Sequence, residues 1–335
     1  MQGQKDHPMK VVIPGGTGQI GRVLGRALLA QGHDVVVLGR GGPSDACDAS
    51  AASVTCDARD ARDARVVAWD GRTLGPWAGE VDGAEAVINL AGRSVSCRYT
   101  DANLEAMMSS RVDSTRVVGA AIARAARPPR VWLQMSTATI YAHRLDAAND
   151  EATGRIGGAE LSVPSYWKRS VDIAVAWERA QAEAATPRTR KVALRTAMVM
   201  SPDRGGVFDV LLGLTRARLG GAIAGGRQYV SWIHDRDVTR AVQLLIERDD
   251  LAGPVNLAAP GPLPQREFMA ALREASGVRL GLPATAWMAD PELLRKSRRV
   301  VPGRLLDAGF AFEFPAWPDA ARDLALRWRA TKLPA

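Results

Sequence analysis

The chain has 335 residues, 47% of them hydrophobic, and a formal net charge of +8 at pH 7, which suits one large α/β domain with a smaller appendage and a sizeable core, so disorder is not the default. Its Arg residues are spread without a basic block of five or a nucleic-acid motif, so no nucleic acid is expected as a partner. The three cysteines form no CxxC and the four histidines no ligand spacing, so no metal is expected.

The first eight residues, MQGQKDHP, lack an apolar h-region, and residues 1–8 read as a disordered or non-native leader. No apolar stretch approaches the ~20 residues that cross a bilayer. A cytoplasmic protein with no membrane partner is the expectation.

Lys10 to Arg40 carries the strongest signal. The apolar run Val11–Ile13 meets Gly15, Gly16, Gly18 and Gly21, and helical spacing follows with Ile20, Val23, Leu24, Ala27 and Leu28 on one face. A second apolar run, Val35–Leu38, completes a βαβ unit, which puts the glycines where a parallel strand delivers its chain to a helix N-terminus. Unpaired N–H groups and the helix dipole favour phosphate there, and residues without a Cβ let a pyrophosphate come close. Gly15 is assigned to the tight turn, Gly18 to phosphate approach and Gly21 to helix–strand packing, with Thr17, Gln19 and Ile20 as neighbouring dinucleotide-binding residues. At the end of the second strand stands Arg40, with no acidic residue between Val35 and Pro43. A cation there suits the 2′-phosphate of NADP(H), the alternative being a solvated surface Arg.

An Ala/Asp-rich linker follows from Gly41, then a third strand at Arg65–Trp69 and a buried fourth at Ala84–Leu90. Leu90, Ala91 and Gly92 let backbone approach a cofactor at that strand's end. A helix spans Asp101–Ala126, with Leu104, Met108, Val112, Thr115, Val118 and Ile122 inward, and Pro128-Pro129 stop it. The fifth strand, Val131–Met135, runs into the hydroxyl cluster Ser136-Thr137-Ala138-Thr139-Ile140-Tyr141, and Ser136 joins the cofactor set. Ala142–Pro164 reads as an irregular, functional loop. A helix at Tyr166–Ala185, a strand at Lys191–Val199, a helix at Asp235–Arg248 with Asp235 as N-cap, and a strand at Pro254–Leu257 continue the alternation. Between them the glycine-rich run ending in Trp232-Ile233-His234 reads as a pocket lining. Residues 9–259 form the expected dinucleotide-binding domain, with 201–232 contributing to the pocket, and 260–335 a small C-terminal domain.

The motifs GGTGQIG, VINLAG, SSRVDSTR, AWERA, GGAIAGGRQYVSWIH and RVVPGRLLDAGFAFEFP, in that order, resemble the atypical extended short-chain dehydrogenases/reductases called epimerase family proteins. These are NAD-dependent epimerase/dehydratase-like chains with their own C-terminal domain, and include a group labelled as cell-division inhibitors. The resemblance covers nearly the whole chain. It implies a Rossmann-type, doubly wound parallel sheet with a smaller C-terminal α/β substrate lobe, and NADP(H) as cofactor. It leaves the substrate open.

Ordinary extended enzymes use a Tyr whose pKa, about 10 when unperturbed, is lowered by a Lys one helical turn later. No YxxxK occurs in this chain, and alignment on Glu178 puts Ala174 at the Lys position and Ser170 at the Tyr position. Thr137 matches the substrate-orienting Ser/Thr, and Arg111 takes the place usually held by Asn. Arg111 either supplies a fixed charge at the nicotinamide end or pairs with a carboxylate such as Asp113 or Glu151. Thr137, Tyr141 and Arg111 are the catalytic candidates, and Tyr166, Lys168, Met198, Arg227, Trp232 and His234 the substrate candidates, His234 having a structural role as its alternative. Two functions stay open for this monomer or homodimer: an NADP(H)-dependent enzyme for a small molecule, with an altered proton donor, and a catalytically silent NADP(H)-binding sensor.

Overall fold

The computed structural model describes residues 7–40, 64–95, 97–160, 163–282 and 295–331. The sequence expectations for most of the leader and for the linker at 41–63 lie outside these residues. In chain order the first elements are β1 (Lys10–Pro14), α1 (Gln19–Ala30), β2 (Asp34–Gly39), β3 (Arg65–Ala68), β4 (Ala86–Asn89), α2 (Asp101–Arg124) and β5 (Val131–Thr137). There follow β6 (Arg144–Asn149), α3 (Ser165–Ala182), β7 (Arg190–Thr196), β8 (Met198–Met200), α4 (Val207–Arg216), β9 (Tyr229–Val230), β10 (Trp232–His234) and α5 (Asp235–Glu247). The last are β11 (Gly253–Leu257), β12 (Leu263–Pro264), α6 (Gln265–Ser276), β13 (Arg298–Val300), α7 (Gly303–Asp307) and α8 (Trp317–Ala330).

The main sheet has seven strands in the order β11-β7-β5-β4-β1-β2-β3. The pairings β1 with β2, β1 with β4, β2 with β3 and β4 with β5 are all parallel. This is the doubly wound arrangement, in which strand order reverses beside β1 and ligands bind beyond the carboxyl ends of the strands. The apolar runs of β1, β2 and β4 are buried along their length, as strands covered on both faces must be.

Two compact units divide the chain: Met1–Met135, Ala176–Ala193 and Leu245–Gly253 form the first, and Ser136–Val175, Leu194–Leu244 and Pro254–Ala335 the second. The composition change at residue 260 falls inside the second unit, because compactness follows long-range packing and composition does not report it. The first unit's core gathers Val12, Val36, Leu38, Val87, Val118, Ile122 and Trp132. In the second, Trp232 and Phe268 meet Trp317, whose ring stacks on Phe268 at 4.0 Å and whose Nε1 donates to the Phe268 carbonyl at 2.8 Å.

Helix α2 starts where Thr100 Oγ1 accepts the Asn103 N–H at 3.2 Å, with Asp101 in its first turn and Arg124 in its last. Met107, not Met108, is its fully buried methionine. Ser114, Thr115 and Gly119 are buried as well, so its covered face is wider than one apolar row, and the hydroxyls of Ser114 and Thr115 are satisfied on the Arg111 carbonyl. The segment expected to be irregular from Ala142 to Pro164 contains β6, which pairs parallel with β13. RLDAAN has no β-branched or aromatic residue to mark it as a strand, and a partner about 150 residues away supplies the ladder. Asp235, expected as the N-cap, is instead the first residue of α5, and its carboxylate binds Arg327 Nη1 at 2.8 Å and Nη2 at 2.7 Å while sharing the Arg236 N–H with His234 Nδ1. No helix among the described residues is long and apolar enough to cross a membrane.

Candidate functional site

The glycine turn is built inside the first unit. Gly15 has φ +74°, its N–H donates to the Leu38 carbonyl at 2.8 Å, and a Cβ there would sit 2.7 Å from the Ala91 backbone. The turn therefore presses on the chain leaving β4, which only glycine permits. A Cβ at Gly21 would collide with the Gly16 backbone, so this glycine closes helix onto turn. Gly18 differs: a Cβ there would make only ordinary contact, 3.5 Å from the Gly15 carbonyl oxygen, and the residue is exposed. The space at Gly18 is open. Helix α1 begins at Gly18 with no side-chain cap and no acidic residue in its first turn, which leaves its N-terminal N–H groups and positive dipole end for an anion. Gln19 Nε2 is buried and has no hydrogen-bond partner among the described residues, a donor in want of an acceptor at the same place.

Two supports escaped the sequence reading. Asn89 Oδ1 accepts the Ala91 N–H at 3.1 Å while its Nδ2 donates to Gln134 Oε1 at 3.0 Å, so a buried amide pair across β4 and β5 sets the turn against which Gly15 packs. Two amides in wholly buried neighbouring strands were the available signal. It follows that the Ala91 N–H is already engaged, and Leu90-Ala91-Gly92 contribute close backbone, not that donor. Arg22 Nη1 donates to the Thr17 carbonyl at 3.1 Å, holding the turn from the helix side. Arg40 is exposed directly after β2, and Ile20 is half-buried in the first turn of α1.

Arg111 belongs to the same unit. Its Nη1 donates to the Met107 carbonyl and its Nη2 to the Arg93 carbonyl, both at 3.0 Å, and its guanidinium lies 4.9 Å from the Trp177 ring centroid. A Cβ at Gly92 would lie 3.2 Å from the Arg111 side chain, so Gly92 makes room for it. Among the described residues no carboxylate pairs with Arg111: Asp113 faces Arg72 at 3.9 Å, and Glu151 accepts from the backbone N–H groups of Asn256 and Arg304. Burial pulls the guanidinium pKa down to about 10, still protonated at neutral pH. The arrangement is a desolvated cation held by two neutral carbonyls, with room on its electrostatic ledger for an anion. The Trp177 Nε1 beside it is buried without a partner among the described residues.

The remaining candidates lie in the second unit. Ser136 is buried. Thr137 ends β5, and its Oγ1 accepts the Thr139 N–H at 3.1 Å, capping the short 3-10 turn Ala138–Ile140. Tyr141 is fully buried: its hydroxyl donates to Asn256 Oδ1 at 2.8 Å and accepts from Arg195 Nη1 at 3.1 Å. Burial pushes this phenol's pKa up despite Arg195, the reverse of what a tyrosinate base requires. Ala174, at the Lys position, is buried among Ala138, Ile140 and Tyr141. A packed methyl group stands at that position.

Of the substrate candidates, Met198 and Trp232 are core residues. His234 is fully buried, stacked on Phe314 at 3.9 Å with Nε2 3.0 Å from Asp323 Oδ2, and burial holds its pKa below the ordinary range against the pull of Asp235 and Asp323. Its structural alternative is the one its surroundings favour. Lys168 is exposed and pairs with Asp172 at 2.9 Å one helical turn on. Arg227 is exposed after the turn Ala224–Gly226, and Tyr166 sets its ring edge-on to Trp167 at 6.3 Å.

Comparison with known proteins adds the following. Residues 11–258 match the NAD-dependent epimerase/dehydratase family, and residues 287–324 a domain of unknown function. The epimerase family protein SDR39U1 of Bos taurus is 28% identical over 94% of this chain and 99% of its own length, and the epimerase family protein Mb2239 of Mycobacterium bovis is 30% identical over 90% and 93%. Among solved structures, human SDR39U1 crystallised with NADPH superposes with a TM-score of 0.78 at 25% identity, covering 95% of this chain and 99% of that one.

Proposed function

Since the chain belongs to the NAD-dependent epimerase/dehydratase family, we propose that it is an NADP(H)-binding, epimerase/dehydratase-like oxidoreductase that works without Tyr-x-x-x-Lys on a small molecule. The observation that carries this reading is the uncapped N-terminus of α1 behind an open Gly18, with Gln19 Nε2 beside it lacking a partner among the described residues. In this reading Gly15, Thr17, Gly18, Gln19, Ile20 and Gly21 hold the pyrophosphate, and Arg40 takes the 2′-phosphate through a charge-assisted contact. The NADPH in the human relative's crystals supports the same choice. The dinucleotide supplies hydride chemistry when bound. Leu90, Ala91, Gly92 and Ser136 complete its surroundings, and Arg111 contributes fixed positive charge. A guanidinium with pKa about 10 keeps its proton at neutral pH, so that role is electrostatic. Thr137 orients a substrate oxygen, its own oxygen being fixed by the Thr139 N–H.

One observation favours a second reading, a catalytically silent NADP(H) sensor: the Tyr141 phenol is locked between Asn256 and Arg195 with its pKa raised. The test of cofactor choice is a fluorescence titration with NADPH and NADH. NADPH should bind more tightly, and Arg40→Asp should weaken it by roughly tenfold or more, the loss of one charge-assisted contact. Equal affinities in the unaltered protein would reject NADP(H).

A further inference from the structure

We infer that the cavity beside His143, in the second unit, binds a small oxyanion, a carboxylate or a phosphate, and that this group is the recognition handle of the substrate. The second clause rests on the enzyme reading above; the binding itself does not. The cavity measures about 260 Å³ and is lined by Ala142, His143, Arg144, Asp146, Arg155 and Glu160, among others. That is below the ~300–1,000 Å³ of sites for drug-sized ligands, so its occupant is small.

The chemistry of the lining is asymmetric. Both side-chain acceptors are taken: Glu160 Oε1 accepts the His143 N–H at 2.8 Å and Oε2 the Gly158 N–H at 2.5 Å, while Asp146 is bound by Arg144 Nε at 3.0 Å and Nη2 at 2.9 Å. Two donors are not. His143 Nδ1 accepts the Ser297 N–H at 2.9 Å, which places the neutral ring's proton on Nε2, and Nε2 has no partner among the described residues. The Arg155 guanidinium likewise has none, although its backbone is clamped on both sides, its N–H on Asn149 Oδ1 at 3.2 Å and its carbonyl accepting from Ala142 at 2.8 Å. Unused donors beside satisfied acceptors call for a ligand rich in acceptors.

The setting is rigid and electropositive. The His143 ring lies 5.4 Å from that of Trp167, and Lys296, only 2% exposed, donates to the Thr139 carbonyl at 3.0 Å with its Nζ 6.0 Å from the same Trp167 ring. Burial first, then the charges of Lys296 and Arg298, keep His143 below the usual histidine range against the opposing Glu160. At neutral pH it offers one N–H in a fixed tautomer, the form in which an imidazole polarises a substrate oxygen.

The experiment is an NMR titration of the full chain carrying ¹³C-labelled histidine, at constant ionic strength, with inorganic phosphate in one arm and acetate in the other. The His143 Cε1–Hε1 signal is identified by its loss in His143→Gln. The expected result is a saturable shift of that signal in at least one arm, the tighter arm naming the oxyanion, and a dissociation constant raised about fivefold or more in Arg155→Met, whose exposed position spares the fold. No saturable shift in either arm, or a shift unchanged by Arg155→Met, overturns the inference. NADPH titrated into the same samples separates the two readings: lost dinucleotide binding strikes the proposed function, whereas a silent His143 strikes only the oxyanion site.

Discussion

The glycine turn of the first unit and the Tyr141 site of the second stand at opposite extremes of hydrogen-bond satisfaction. In the turn, α1 has no side-chain cap, Gln19 Nε2 lacks a partner among the described residues and Gly18 faces open space. At Tyr141, the phenol is engaged on both sides, by Asn256 and Arg195, Asn256 donates to the Val301 carbonyl at 2.9 Å, and its N–H is held by Glu151 at 2.7 Å. Unmet donors cost stability unless something binds them, whereas a closed network stabilises and rigidifies. The contrast is between donors left open and a phenol held on both sides, although the sequence marks both regions with residue types that suggest chemistry.

Two glycine substitutions within the turn carry the largest expected effect. Gly21→Val drives a side chain into the Gly16 backbone and should cost about 3 kcal/mol or more in chemical denaturation. Gly18→Val meets no such obstacle, so its stability should stay within about 1 kcal/mol of the parent while NADPH binding disappears. Equal destabilisation by both would mean that Gly18 serves packing and not phosphate.

Tyr141→Phe tests the other side. Loss of the hydroxyl strands a buried Asn256 oxygen and an Arg195 donor, so stability should fall by about 1–3 kcal/mol with NADPH affinity unchanged. Were stability instead unaltered and turnover abolished, the phenol would be the missing proton donor.

The smallest effect belongs to Arg111→Met, which keeps much of the side chain's length and removes its charge. NADP(H) affinity should drop by roughly tenfold, about 1.4 kcal/mol, with little change in melting temperature. Unchanged affinity would leave Arg111 as a strut between the Met107 and Arg93 carbonyls and shift the balance toward the silent sensor.

The local signals in the sequence determined the βαβ start, the glycine positions, the family and the absence of Tyr-x-x-x-Lys, because each depends on residues close together in the chain. Val11–Ile13, Gly15–Gly21 and Val35–Leu38 needed only periodicity and steric reasoning to be placed. Tertiary structure alone decided what the polar residues do. Nothing in its own neighbourhood says that Tyr141 would meet an Asn 115 residues away, that Trp232 and His234 would turn inward while His143 keeps a donor unused, or that RLDAAN would find a strand partner in β13. A hydroxyl, an imidazole or a guanidinium becomes a site or a strut according to which long-range groups reach it first, and sequence spacing carries no record of that competition.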